Sequence, residues 1–228
     1  MMEFLFLDLD DTILDFHKAE RIALSKTLES FDVAPDDEVL ARYHVINRQH
    51  WERLETGELT RDQVQEGRFR VLFQELGREV DPVAVTRTYE RNLGIGHYFL
   101  PGAEEAVQSL HQKYRLFLAS NGTASVQHSR LTSAGLYPYF EKVFVSQEMG
   151  QNKPSRDYFE ACFRQIPDFC PERAMMVGDS LTSDILGGIN AGIRTCWINP
   201  SHAPARANIQ PDYEIENLSQ LEEVLKTL

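Results

Sequence analysis

Five short stretches of the chain are apolar on consecutive positions, not alternate ones: Glu3 to Leu9, Arg115 to Ala119, Lys142 to Ser146, Ala174 to Val177 and Thr195 to Ile198. Uninterrupted runs of this length fit strands covered on both faces, as in a parallel sheet. From the second run onward they alternate with stretches of helical periodicity. Ala103 to Lys113 follows Pro101-Gly102, and Thr123 to Ala134 is stopped by Gly135. Tyr158, Phe159, Cys162 and Phe163 mark one face of a third helix, and Ser183 to Ala191 ends at Gly192. Glycine is the usual residue just past a helix C-terminus. Repeated strand–helix units predict an α/β fold: a Rossmann-like, doubly wound parallel sheet.

The stretch from Phe16 to Leu93 breaks this rhythm. Val39, Leu40, Tyr43, Ile46 and Leu54 recur at helical spacing. Thr60 with Gln63 has the form of a capping box ahead of Val64, Leu72 and Leu76, and Asp81-Pro82 forms an N-cap and N1 pair. The expected division is a core from residues 1–15 and 94–228, with residues 16–93 as an inserted small α-helical cap. Periodicity alone does not say "cap". The position of the block, between the first strand and the rest of the sheet, suggests it.

Composition narrows the function classes. Hydrophobic residues make up 42% and charged residues 25% of the 228, an ordinary composition able to bury a core. Apolar runs such as Phe4 to Leu7 are too short to cross a bilayer. The Met-Met-Glu start lacks a basic n-region and a small-residue cleavage site, so the expectation is a cytoplasmic protein without a membrane partner. The 35 acidic and 23 basic residues give a net charge of −12, which repels nucleic-acid polymers. A small anionic substrate remains admissible, because a local cation and a few donors override the global field. Cys162, Cys170 and Cys196 form no metal-like pair and read as reduced, buried thiols.

The chemistry concentrates at strand ends. The first strand runs into Asp8-Leu9-Asp10-Asp11-Thr12. Three carboxylates in four positions repel one another unless a cation sits among them. Asp11 or Thr12 alone would read as an acidic turn capping the next helix; the whole cluster after an apolar strand reads as a site. Ligands of open α/β sheets bind outside the carboxyl ends of the strands. A second cluster, Gly178-Asp179-Ser180 with Asp184, follows the Ala174 strand. Gly178 permits a tight turn, Asp179 is a hard oxygen ligand suited to Mg²⁺, and Asp184 is a secondary ligand or a first-turn helix charge. Ser120-Asn121-Gly122 ends a strand and opens a helix, so its backbone N–H groups and the Ser120 hydroxyl can hold a phosphate oxygen. Lys153, before Pro154, supplies the cation that acidic clusters and a phosphate require.

In order, Asp8-Leu9-Asp10-Asp11-Thr12, Ser120-Asn121-Gly122, Lys153-Pro154 and Gly178-Asp179-Ser180 with Asp184 resemble the four motifs of the haloacid dehalogenase-like hydrolases. The resemblance spans the chain. It implies a Rossmann-like core with the first strand central. It also implies Asp8 as nucleophile and Asp10 as acid and base, with Mg²⁺ held by Asp8, the Asp10 carbonyl and Asp179. Ser120, Asn121 and Lys153 would hold the phosphoryl group, and the substrate would be a small phosphomonoester. Asn47 with Trp51, Gly67-Arg68-Phe69, Ser120 to Thr123 and Ser183 to Gly192 resemble, more narrowly, the noncanonical pyrimidine 5′-nucleotidases. In the cap, Phe16, Asn47 and Trp51 are candidate substrate contacts, although Trp51 reads equally well as a cap-core residue.

Other readings keep the same motifs. A phosphatase of phosphoglycolate or a sugar phosphate shares the core site, and a sugar phosphomutase would isomerise its substrate and release little phosphate. A haloacid dehalogenase shares the nucleophile but has no need of an acid at position 10. A non-enzymatic protein has no use for the costly acidic cluster. No sequence feature sets the assembly beyond monomer or homodimer.

Overall fold

The computed structural model describes residues 2–228. In chain order the elements are β1 (Phe4–Leu7), α1 (Phe16–Glu29), α2 (Asp37–Glu55), α3 (Arg61–Glu75), α4 (Pro82–Leu93), α5 (Ala103–His111), β2 (Arg115–Ser120) and α6 (Ala124–Ser133). There follow β3 (Lys142–Val145), the one-turn α7 (Ser146–Met149), α8 (Arg156–Phe163), β4 (Ala174–Gly178), a π-helical turn (Leu181–Ile185) that runs into α9 (Leu186–Ala191), β5 (Arg194–Ile198), β6 (Tyr213–Ile215) and α10 (Leu221–Leu225). The chain divides into two compact units, residues 1–16 with 97–228 and residues 17–96.

The first unit holds one six-stranded sheet in the order β3-β2-β1-β4-β5-β6, with every pair parallel. All four residues of β1 are buried, because side chains alternate between two covered faces. On one face Leu5, Leu7, Leu116, Leu118, Met175 and Val177 pack with Val107 and Leu110 of α5 and Leu221 of α10. On the other, Phe4, Phe6, Phe117, Phe144 and Met176 pack with Tyr158, Phe159 and Cys162 of α8. The Phe6 and Phe117 rings stack at 5.2 Å, close enough for offset stacking to add to their burial. Burial pushes the Cys162 and Cys196 thiols up to about 12, so both stay protonated; Cys170 is only partly buried.

The chain adds β2 and β3 on one side of β1, then crosses to add β4, β5 and β6 on the other. This reversal opens a crevice at the carboxyl ends of β1, β2 and β4. The edge strand β6 was not expected from the sequence. It has only three residues, with Glu214 exposed between half-buried Tyr213 and buried Ile215, so it presents no apolar run.

The second unit contains α2, α3, α4 and all of α1 after Phe16. Its helix starts carry the signals read from the sequence. Thr60 and Gln63 form a reciprocal capping box, and Asp81 caps α4 by accepting from the Val83 N–H with Pro82 in the first turn. Tyr43, Phe69 and Tyr89 form its aromatic centre, with ring centroids 5.2–5.7 Å apart. A polar chain runs beside them. Arg68 Nη1 donates to Asn47 Oδ1 at 2.8 Å, and Asn47 Nδ2 donates to Glu20 Oε1 at 2.6 Å. Glu20 Oε2 meets His44 Nδ1 at 2.9 Å. No helix among the described residues is long and apolar enough to cross a membrane.

Candidate active site

Asp8 is the first residue past β1. Its backbone N–H donates to the Val177 carbonyl at 3.0 Å, so the ladder to β4 continues up to the carboxylate. Asp179 follows β4 in the same way, and Asp184 returns to it from the π-helical turn. Asp8, Asp179 and Asp184 each offer an oxygen, and these oxygens all lie within 4.8 Å of one another.

Gly178 has a different role from the tight turn expected of it. It is the last residue of β4, and a Cβ there would collide with the Asp184 carboxylate. Glycine is needed for this close approach. The π-helical turn replaces the regular helix start expected at Ser183. Such turns are rare and cluster at functional sites. Here Asp184 Oδ2 accepts from the Ser180 N–H at 3.0 Å, and Ser180 Oγ accepts from the Ser183 N–H at 3.2 Å.

Lys153 is buried to 1% exposure, and its ammonium places all three protons. Nζ donates to Asp8 Oδ1 at 2.6 Å, to Asp184 Oδ1 at 2.7 Å and to the Ala119 carbonyl at 2.6 Å. Burial alone would lower its affinity for a proton, but Asp184 and Asp8 overturn that and hold it well above the ordinary lysine range. Asn121 fixes the lysine's backbone: its Nδ2 donates to the Lys153 carbonyl and its Oδ1 accepts from the Lys153 N–H, both at 2.9 Å. The Asn121 side chain is therefore committed to joining two loops.

Burial pushes Asp8 up to about 7; Lys153 pulls it down, and the anionic Asp184 and Asp10 push it further up. Asp179 is raised well above the carboxylate range by burial and then by Asp184, Asp8 and Asp11, although part of its surface still meets solvent. One lysine thus faces three close carboxylates and donates to two of them, Asp8 and Asp184. All-oxygen donors at a strand end suit a hard divalent cation, so the residues present fit Mg²⁺. Asp11 sits at φ 53° and accepts from the Phe16 N–H at 2.9 Å. It caps α1, the role an isolated acidic turn would have.

Three further residues belong to the site and were not read from the sequence. Trp197 Nε1 donates to the Asp179 carbonyl at 2.7 Å, fixing that loop from β5. Gln127 and Arg130 are buried on α6. Gln127 Nε2 donates to Asp10 Oδ2 at 2.6 Å and to Ser120 Oγ at 2.8 Å. Arg130 Nη1 donates to Asp10 Oδ1 and to Gln127 Oε1. A signal was present: Val126, Gln127, Arg130 and Leu131 share the buried stripe of α6, and two large polar residues on such a stripe need partners. Phe16 lies 5.9 Å from the Arg130 guanidinium carbon. Asn47 and Trp51 are in the helical unit. Asn47 is buried with both ends of its amide engaged, and Trp51 is half-buried with the Arg61 guanidinium 5.6 Å from its ring.

The chain is 40% identical over 221 residues to the HAD-hydrolase YfnB of Bacillus subtilis, covering 97% of this chain and 94% of that one. A crystal structure of YfnB bound to magnesium superposes with a TM-score of 0.94 over 98% of both chains. The pyrimidine 5′-nucleotidase PynA of Streptococcus pneumoniae is 38% identical over 96% of this chain and 93% of its own length. The pyrimidine 5′-nucleotidase YjjG of Escherichia coli is 30% identical over 98% and 97%. The family model for haloacid dehalogenase-like hydrolases matches residues 2–192. With its motif carboxylates joined by Lys153 at the carboxyl edge of a parallel sheet, the chain belongs to the haloacid dehalogenase-like hydrolases.

Proposed function

We propose that the protein is a magnesium-dependent phosphomonoesterase that works through an aspartyl-phosphate at Asp8 and acts on pyrimidine nucleoside 5′-monophosphates. The observation that carries the chemistry is the carboxylate trio of buried Asp8 and Asp184 and half-buried Asp179, with Lys153 bridging Asp8 and Asp184. The near full-length likeness to two pyrimidine 5′-nucleotidases supports the substrate class.

Asp8, the Asp10 carbonyl and Asp179 would hold Mg²⁺, with Asp184 beside them as a secondary ligand. The ion would offset repulsion between an anionic nucleophile and an anionic substrate. An Asp8 oxygen attacks phosphorus in line, forming the O–P bond as the ester P–O bond breaks. Asp10 gives its proton to the departing nucleoside oxygen, then takes one from the water that attacks phosphorus. That second displacement returns the electron pair to Asp8 and releases phosphate. The Ser120 hydroxyl and the Asn121 backbone N–H hold the phosphoryl oxygens, since the Asn121 side chain is already used. The Lys153 ammonium, its three protons placed on Asp8, Asp184 and the Ala119 carbonyl, acts on them through its charge.

Metal binding has a readout in stability. Asp8 is raised to about 7, so its protonated form favours the fold. That contribution is full below the ordinary carboxylate value and lost as pH rises through about 7, and Asp179 acts in the same direction. Metal-free protein should therefore melt lower at about pH 8 than at about pH 5.5, and saturating Mg²⁺ should raise Tm more at the higher pH. Equal stabilisation at both, or none, would remove Asp8 and Asp179 as ligands.

The core motifs grip only phosphate, so discrimination falls to the helical unit. Trp51 is the proposed base contact and Phe16 a further substrate contact, whereas Asn47 acts by holding Glu20 and Arg68 in place. UMP, dUMP and dTMP are expected to exceed purine nucleotides and sugar phosphates in kcat/KM by at least about tenfold, a difference one pocket contact can supply. A hexose phosphate or phosphoglycolate leading the panel would overturn the nucleotidase reading and leave the phosphatase reading standing.

A further inference from the structure

We infer that Gln127 and Arg130 of α6 are positioning residues that join the acid Asp10 to the phosphoryl-holding Ser120, setting both groups on one substrate phosphorus. The inference rests on the phosphatase reading above.

The hydrogen bonds fix the direction of every group involved. Arg130 Nη1 donates to Gln127 Oε1 at 3.1 Å, so the Gln127 amide must turn its NH₂ toward Asp10 and Ser120. Both protons of that NH₂ are placed, one on Asp10 Oδ2 at 2.6 Å and one on Ser120 Oγ at 2.8 Å. Ser120 Oγ also accepts from the Gly122 N–H at 3.1 Å. A serine hydroxyl has two lone pairs and one proton. With both lone pairs occupied, the Ser120 hydroxyl serves as a donor, which is what an anionic phosphoryl oxygen requires.

Asp10 is held from the same side. Arg130 Nη1 takes Oδ1 and Gln127 Nε2 takes Oδ2, so rotation of the carboxylate costs a hydrogen bond at each end. A carboxylate has about four lone-pair sites. Each oxygen therefore keeps a second site for a proton shared with the leaving group or with water. Arg130 is wholly buried and Gln127 1% exposed, so neither donor can be replaced freely by solvent. The packing is close: a Cβ on Gly122 would collide with the Gln127 side chain.

This arrangement answers a geometric need. The ester oxygen that Asp10 must protonate and the oxygen that Ser120 must hold belong to the same phosphorus. One amide touching both groups sets their separation, and misplacement by about 1 Å in such a site costs on the order of 100-fold.

The test uses purified wild type, Gln127→Met, Arg130→Met and Arg130→Lys, each with Mg²⁺, on UMP and on p-nitrophenyl phosphate. The kcat/KM value covers steps up to departure of the first leaving group. A nucleoside alkoxide needs the acid, whereas p-nitrophenolate hardly does. Gln127→Met should lower kcat/KM on UMP by about 100-fold and on p-nitrophenyl phosphate by less than about 10-fold, since general acid catalysis is worth about 100-fold or more. Arg130→Met should shift the same ratio. Arg130→Lys, which keeps a donor toward Asp10, should recover at least part of it. Equal losses on both substrates, with Arg130→Lys no better than Arg130→Met, would reduce the pair to structural residues and overturn the inference. Unchanged kinetics in folded Gln127→Met would overturn it too. If Gln127→Met fails to fold by circular dichroism, the comparison of Arg130→Lys with Arg130→Met decides alone. Wild type inert toward both substrates would instead bring down the phosphatase reading, and this inference with it.

Discussion

Asp8→Asn is expected to abolish turnover while leaving the fold intact. The amide has nearly the shape of the carboxylate but cannot attack phosphorus as an anion. Losing a covalent nucleophile should cost at least about 1,000-fold in kcat. Stability should move little or rise. Lys153 keeps Asp184 and the Ala119 carbonyl as partners, and the carbonyl oxygen of the introduced amide can still accept from Nζ. One negative charge leaves a cluster in which burial and neighbouring carboxylates already oppose ionisation. The checks are phosphate release with Mg²⁺ and a thermal melt. Near-wild-type turnover would remove Asp8 from the chemistry, and a collapsed melt would mean that its role is structural.

Lys153→Met is expected to do the reverse to stability. The ammonium bridges Asp8 and Asp184, and all three groups are buried. Removing one partner from a buried ionic network leaves uncompensated charge, at a cost of about 3–5 kcal/mol. For a domain of this size that is a fall in Tm on the order of 10 °C. The fall should be larger at alkaline than at mildly acidic pH, because Asp8, already raised to about 7, relieves the unpaired charge by taking a proton and loses that relief as pH rises. Activity should fall by about 100-fold or more, because the cation that orients Asp8 and offsets the developing charge is lost. An undiminished melt across the pH range would contradict the network as described.

Much of the core was legible because its signals are local. The runs Phe4 to Leu7, Arg115 to Ser120, Lys142 to Val145, Ala174 to Gly178 and Arg194 to Ile198 are strands within a residue or two of where apolar continuity placed them. The Thr60–Gln63 box and Asp81-Pro82 start α3 and α4 as read. The carboxylates Asp8, Asp179 and Asp184 converge with Lys153 from three separate elements. What was not legible depends on tertiary partners. β6 is short and pairs only because β5 offers an edge. Gly178 reads as a turn residue until Asp184 folds back over it. Asn47 reads as an open amide until Glu20 and Arg68 close on it. Gln127 and Arg130 stand on the apolar stripe of α6, but the stripe does not name their partners: both reach Asp10, 117 residues from Gln127 along the chain, and Gln127 also reaches Ser120.

The covalent intermediate at Asp8 is the claim on which the rest depends, and trapping it is the most direct measurement. Wild-type protein with Mg²⁺ and excess UMP would be quenched in acid during turnover, reduced with borohydride and mapped by mass spectrometry. An aspartyl-phosphate is a mixed anhydride, and hydride reduces it to the alcohol of homoserine. Homoserine at position 8, and absent without UMP, is the predicted result. Unmodified Asp8 in protein quenched while it is releasing phosphate, or reduction at another carboxylate, would contradict the account.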